Sequence, residues 1–466
     1  MRMRSAWLLA LMVPFAYGQA PSAPVKEWTL HEAVEYALEH SPELKTADAE
    51  IRRREAVVTS TRSSLLPQLD LSADLARSRF DRGYPLGTPP DVVRYDSTLY
   101  AGGIELKYMV WDFHRTELEI QAAKERVQAA SELAERRRQE VIFEVARLYL
   151  QAETYQDLIG AAESRRKSLQ ALLETTNALV GAGRAVPVDA LKVKTRIAQI
   201  DSDLATLEAG RLAAMSALAS SMGLEAELGG LRYQPPAEPA ATAPQEAPQA
   251  AISQRFELKA QGRETLAAER QVEAIRRSAW PRIDFRASAI QYASNTPQGF
   301  ATLIGNLLPS LHPPAGSPGN AVTDWLVGAH VSFPLFDGGR QKGQSDAALA
   351  QWKQSRFAEQ QLRLRIRREV ATAEADLKSA LSRERSLRES VGEAEQVLRN
   401  ERLKFEAGRS VINFVLDAES ALLTNQSLLY QSRRSAAIAS IALDLSIGNL
   451  SPANVQILGT GYSTSK

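Results

Sequence analysis

Five histidines are the first candidates for chemistry in this 466-residue chain: His31, His40, His114, His312 and His330. No two of them have the i, i+4 spacing that sets a pair of imidazoles around a metal on one helix face. They read as incidental, with His330 on the polar side of an alternating strand. Cysteine is absent. That removes thiolate metal sites, iron–sulfur clusters, cysteine nucleophiles, disulfide staples and a lipid-modified N-terminal cysteine. The chain shows no glycine-rich phosphate loop, no nucleophile elbow and no carboxylate pair around a defined cleft. No metal, no cofactor and no enzymatic reaction are therefore expected. Lys and Arg number 56 against 55 Asp and Glu, a net +1. A chain so balanced has no basic field for nucleic acid. The cluster Glu135-Arg136-Arg137-Arg138 reads as a solvated helix face.

What remains is transport or structure, and the ends of the chain narrow it. Residues 1–18, MRMRSAWLLALMVPFAYG, place two arginines before an apolar run and small residues after it. This is the layout of a secretory signal peptide. Cleavage after Gly18 is preferred to cleavage after Ala20, because Pro21 follows the second site. The run from Ala6 to Ala16 is too short for a spanning helix, which needs about 20 residues. An exported protein is expected.

The chain then repeats itself, and a fixed period outranks other signals. Pro42-Glu43-Leu44-Lys45 matches Phe256-Glu257-Leu258-Lys259, and Leu66-Pro67-Gln68-Leu69-Asp70-Leu71 matches Trp280-Pro281-Arg282-Ile283-Asp284-Phe285, both 214 residues apart. Trp111-Asp112 matches Phe336-Asp337, and Ala182-Gly183-Arg184-Ala185-Val186 matches Ala407-Gly408-Arg409-Ser410-Val411, both 225 apart. The second copy thus carries one insertion of 11 residues between Pro281 and Phe336. The organisation expected is a first repeat over 19–232, a Pro/Ala-rich linker over 233–250, a second repeat over 251–450 and a frayed tail over 451–466.

Each repeat holds a helix, a hairpin, a very long helix, a glycine-containing break and a last helix. The long helices are expected near Phe113–Val180 and Arg340–Ala407. About 68 residues at 1.5 Å each reach roughly 100 Å. Ile120, Ala123, Val127, Ala130 and Ala134, then Val141, Val145, Leu148, Ala152, Tyr155 and Ile159, recur at three- and four-residue steps. Such a stripe is a coiled-coil seam with small knobs.

The hairpins, near 68–110 and 282–335, alternate. Leu69, Leu71, Ala73 and Leu75 are interleaved with Asp70, Ser72 and Asp74. In the return strand Tyr100, Ile104, Leu106, Tyr108 and Val110 are interleaved with Ala101, Glu105 and Lys107. The second copy sets Ile283, Phe285, Ala287 and Ala289 against Asp284, Arg286 and Ser288, and Trp325, Val327, Ala329, Val331, Phe333 and Leu335 against Asp324, Gly328, His330 and Ser332. Strands of about 10 to 13 residues with one apolar and one polar face suit a transmembrane β-barrel. A soluble sandwich is the alternative, though four strands give it little core. Open edges are not tolerated in lipid, and four strands cannot close a barrel whose usual minimum is about eight. Protomers must pool their hairpins, and two or three copies satisfy that requirement equally. Between the strands, Phe80 to Ser97 is a charged outer loop. The stretch Ala287 to Thr323 has no charged residue, and its 294–321 part reads as a variable surface loop or one folded over the mouth.

These features together resemble the TolC-like outer-membrane efflux protein family, over roughly Trp28 to Asn449. The stretches most similar to it are Phe333-Pro334-Leu335-Phe336-Asp337-Gly338-Gly339-Arg340, Phe405-Glu406-Ala407-Gly408 and Val415-Leu416-Asp417-Ala418-Glu419. Gly183-Arg184 and Val188-Asp189-Ala190-Leu191 look like the first copy's partner motif. Trp111-Asp112-Phe113-His114 departs by lacking the double glycine. The resemblance implies a mainly α fold with transmembrane β: a homotrimer whose long coiled-coil helices form an α-barrel and whose four strands per chain make a shared 12-stranded outer-membrane β-barrel. It implies the exit channel of a tripartite efflux pump or type I secretion system. The partners would be a periplasmic adaptor, an inner-membrane transporter and outer-membrane lipid. Without cysteine the chain resembles the non-lipidated members.

The resemblance also implies where function resides. The periplasmic helix tips, Gly183 and Arg184 with Gly408 and Arg409, would make the tight turns and dock the adaptor. Asp417 matches an acidic residue at the constriction of some relatives, and Phe414 lies one turn earlier on the same helix face. A ring of Phe414 would be an apolar plug and a ring of Asp417 a cation-attracting collar. Asn413 and Asp189 are further constriction candidates. The plainer alternative pairs Asp417 with Arg409 on a helix surface. Competing functions are a periplasmic coiled-coil adaptor, which would carry one helical hairpin rather than a duplicated unit, and a structural stalk.

Overall fold

The computed structural model describes residues 27–84, 91–225, 228–232, 247–294 and 322–457. The leader, residues 233–246 of the linker, the uncharged loop from 295 to 321 and the tail from 458 lie outside the described residues.

The first copy runs β1 (Glu27–Trp28), α1 (Leu30–His40), α2 (Pro42–Ser63), β2 (Gln68–Tyr84), β3 (Asp91–Trp111), α3 (Arg115–Gly181), α4 (Pro187–Met222) and β4 (Gly230–Leu231). The second runs α5 (Ala247–Gln254), α6 (Phe256–Arg277), β5 (Arg282–Ser294), β6 (Val322–Ser332), α7 (Arg340–Glu406), α8 (Ile412–Ile447) and α9 (Pro452–Ile457). Both long helices, α3 and α7, have 67 residues. Their boundaries follow local chemistry. Pro42 and Pro187 occupy first-turn positions where no N–H is needed. Glycines in the left-handed region close α4 and α8 at Gly223 and Gly448. The α3 stripe is largely buried, from Ile120 through Val141 and Val145 to Ala152.

Strands β2, β3, β5 and β6 form one antiparallel sheet in that order. The register sorts the alternation cleanly. Leu71 faces Ile104, Ile104 faces Ala289 and Ala289 faces Trp325, so one face is apolar across all four strands. On the other, Asp70 faces Glu105 and Glu105 faces Ser288, while Lys107 pairs with Glu105 at 2.9 Å and Asp70 at 3.5 Å. The apolar face has no cover within the chain: Leu71 is 82% exposed and Trp325 77%.

Three details differ from the sequence reading. Strands β2 and β3 have 17 and 21 residues, not 10 to 13, and absorb backbone that read as an outer loop. Their ladder continues to Tyr84 opposite Asp91 through backbone bonds, beyond the point where side-chain alternation ends. Strand β6 stops at Ser332 rather than Leu335, because Pro334 has no N–H to give a ladder. The register also shifts between Met109 and Trp111. Val110 is thereby the extra residue of a bulge, and Trp111 instead joins the apolar face opposite Ile283.

Where sheet meets helix, Asp112 accepts from Thr116 N at 2.8 Å and Asp337 accepts from Gln341 N at 2.8 Å. Midway along the helices, β1 and β4 pair in parallel. The Tyr149 hydroxyl lies 2.8 Å from Arg232 O and 3.1 Å from Trp28 O and donates between them. A core of Val34, Val145, Tyr149, Leu218 and Met222 surrounds that bracket. A second core, with Leu169, Val193, Phe405, Ile412 and Val415, lies toward the helix tips.

Candidate functional site

The two helical hairpins end in matching turns. In α3 the chain passes Ala182 into Gly183 at φ 72°, and Arg184 N donates to Leu179 O at 2.8 Å. In α7 it passes Ala407 into Gly408 at φ 71°, and Arg409 N donates to Lys404 O at 2.8 Å. A six-to-one bond closed by a left-handed glycine is the Schellman cap. Any other residue at Gly183 or Gly408 would strain it. Val186 and Val411 then run extended, and Pro187 and Ile412 open α4 and α8.

The two turns stand side by side. A methyl group placed on Gly408 would lie 3.7 Å from Nη2 of Arg184. Lys192 joins them: its Nζ lies 3.0 Å from Oδ1 of Asn413 and 3.5 Å from Oδ1 of Asp189. Three residues from two hairpins are thus brought together, two of them expected from sequence. Lys192 is the addition; as an isolated lysine on a helix surface it carried no signal. Lys404 and then Ser410 hydrogen-bond Glu401 and hold its carboxyl below the usual range.

Phe414 and Asp417 share an exposed face of α8, with Phe414 58% exposed. Among the described residues no ion pair joins Asp417 to Arg409. Val186, Val188, Leu191 and Val411 are also exposed at the tip.

Behind that face lies a buried charge cluster. Glu419 is fully buried and Arg165 nearly so. Arg165 and Arg402 both pair with the Glu419 carboxylate, and Ser168 Oγ donates to its Oε1 at 3.3 Å. Burial, followed by the charges of Arg402 and Arg196, pulls the Arg165 guanidinium down to about 9, still charged at neutral pH. The cluster links α3, α7 and α8 through one carboxylate. Sequence reading quoted Glu419 only as part of a motif. The available signal was periodic: Glu419 continues the stripe Ile412, Val415, Leu416, and Arg165 sits among Leu158, Ala162, Leu169 and Leu172, all buried. Opposite charges on two facing apolar stripes have to meet.

A one-sided apolar sheet at the end of two long helical hairpins defines a mainly helical protein with a membrane-facing strand region. The chain belongs to the outer membrane efflux protein family, matching it over residues 33–224 and 247–449. Each repeat is thus matched on its own, and the break falls at the linker. The outer membrane efflux protein BepC of Brucella suis is 25% identical over 422 residues, covering 89% of this chain and 84% of BepC. The outer membrane protein TolC of Vibrio cholerae is 25% identical over 479 residues, covering 98% of this chain and 99% of TolC. The structure of the outer-membrane channel OprN superposes with a TM-score of 0.71 at 20% identity, covering 90% of each chain. The protein is a bacterial outer-membrane exit channel for efflux. The adaptor and stalk alternatives give way to that assignment.

Proposed function

We propose that three copies of this chain form one duct, in which twelve strands close a single outer-membrane barrel and the long helices wall a tunnel through the periplasm. Cargo delivered by an inner-membrane transporter through a periplasmic adaptor leaves through it, in a tripartite efflux pump or a type I secretion system. The observation that carries this reading is the four-stranded sheet, apolar on one face and open at both edges. In lipid those edges need partners, and the helices of 67 residues beside it reach roughly 100 Å. The duct is passive and calls for no catalytic group or cofactor.

The tip is its narrow end. Phe414 and Asp417 form the constriction, with Asn413 and Asp189 held by Lys192 at its rim. Gly183, Arg184, Gly408 and Arg409 make the turns on which the adaptor docks. An exposed phenyl beside an exposed carboxylate, on a helix whose other face is packed, supports this reading. Phe414→Ala is expected to raise single-channel conductance in planar bilayers about twofold or more, because an apolar constriction resists wetting. Unchanged conductance removes Phe414 from the constriction.

A further inference from the structure

The two halves of the chain agree in strand register as well as in sequence. Gln68 pairs with Lys107 in the first hairpin and Arg282 with Ser332 in the second. Adding 214 to the first residue and 225 to the second turns one pair into the other. Between the hairpins lies a central junction, where β3 of the first copy pairs with β5 of the second. There Ile104 faces Ala289, Leu106 faces Ala287 and Tyr108 faces Phe285; past the bulge, Trp111 faces Ile283. The elements beyond the sheet continue the contact. Phe113 packs on Trp280 at 4.9 Å, and Arg277 Nη1 donates to Phe113 O at 3.0 Å. Helix α6 buries Leu258, Ala260, Ala267, Val272 and Ala274.

The sheet edges are the same two elements without each other. Strand β6 is the second copy's counterpart of β3, and β2 is the first copy's counterpart of β5, yet each is paired on one side only. Their surroundings are correspondingly bare. Phe336, the counterpart of Trp111, is 92% exposed against 40% for Trp111. Leu66, the counterpart of Trp280, is exposed, as are Phe357 and Leu364 on α7. Helix α2, the counterpart of α6, buries only Leu44.

We propose that these two edges are a docking surface for a second copy of this chain, and that the contact between copies repeats the central junction in register. Transferred by the same two offsets, Ala329 lies opposite the partner's Leu75, His330 opposite the partner's Asp74, Val331 opposite the partner's Ala73 and Ser332 opposite the partner's Ser72. Apolar residues then meet apolar residues on one face and polar meet polar on the other. His330 gains a carboxylate neighbour where the central junction has Glu105 beside Ser288. Phe336 covers the partner's Leu69, and α7 runs along the partner's α2. This head-to-tail contact is heterologous, and a heterologous contact whose rotation closes makes a ring without free edges. The proposal rests on the shared-barrel reading but fixes what that reading leaves open, the residue pairs.

The natural absence of cysteine makes the test direct. Full-length protein carrying His330→Cys with Asp74→Cys, oxidised in its membranes, is expected to give a covalent oligomer ladder on non-reducing gels. Ala329→Cys with Leu75→Cys, on the opposite face, is expected to do the same and stands in if the first variant fails to insert. His330→Cys with Ser72→Cys should cross-link about tenfold less, because diagonal neighbours are about 7–8 Å apart and beyond disulfide reach. A shifted pair that links as well as the first, or no ladder from either matched pair, overturns the register. Sizing the cysteine-free protein separates the two claims. An oligomer without the ladder sinks the register and leaves the shared barrel standing; a monomer removes both.

Discussion

Glu419 and Asp417 are two residues apart on one helix and live in opposite worlds. Asp417 is exposed, while Glu419 is fully buried between Arg165 and Arg402. A step of two residues turns an α-helix by about 200°, so the pairing of Glu419 with α3 and α7 fixes the direction in which Phe414 and Asp417 point. Removing one partner of a buried pair leaves an uncompensated charge, at a cost of about 3–5 kcal/mol. Glu419→Ala is therefore expected to lower the Tm of the detergent-solubilised protein clearly. Glu419→Gln, which still accepts from Ser168 and the guanidinium groups, should lower it less. Equal Tm values for the Ala variant and the parent would mean that Arg165 finds another anion. The exposed pair was legible in the sequence because a motif marks it. The buried one was not, because a charge on an apolar stripe declares its partner only when the facing stripe is known.

At the scale of elements, the strand-to-helix junctions show which parts of the fold local chemistry writes. The second copy turns through Gly338 and Gly339, at φ 67° and 91°, and the first makes the same turn with Phe113 and His114, at φ 56° and 63°. Left-handed backbone costs a side-chain-bearing residue about 1–2 kcal/mol. The first junction offsets this with contacts: Phe113 on Trp280, His114 edge-on to Trp111 at 4.6 Å, and His114 Nδ1 at 2.5 Å from Glu117. Gly339→His has no such companions at its junction and is expected to destabilise the protein by about 1–2 kcal/mol, read as a lower Tm by circular dichroism; an unchanged Tm would refute a strained second junction. Helix ends were legible for the same local reason, since Pro187 and Gly408 carry their conformations in their side chains or lack of them. Helix α1, helix α5 and the β1–β4 pair were not foreseen. Two-residue strands have no periodicity to read, and their pairing depends on Tyr149, more than 80 residues from Arg232 in sequence. The outer parts of β2 and β3 escaped notice because backbone pairing outlasts the alternation that advertises it.

At the scale of the whole molecule, membrane character resides in an arrangement rather than in a segment. No helix among the described residues is long and apolar enough to cross a bilayer, and the lipid-facing surface exists only when four strands set every second residue on one side. A charge on that side near mid-bilayer costs about 2–4 kcal/mol. Leu71→Arg is accordingly expected to reduce the protein recovered in outer-membrane fractions several-fold, while Ser72→Arg, on the polar side, leaves recovery near the parent level. Equal losses for both would argue against a one-sided lipid face. The matching hairpin registers also speak to descent. Each half contains a full strand pair, a helical hairpin and a tip turn, so a polypeptide of half this length already holds every joint of the larger one. Fusing two such units made their fates separable. Once joined by a linker, one half could keep its glycine pair while the other took up Phe113 and His114, and a ring of identical walls became a ring of alternating ones.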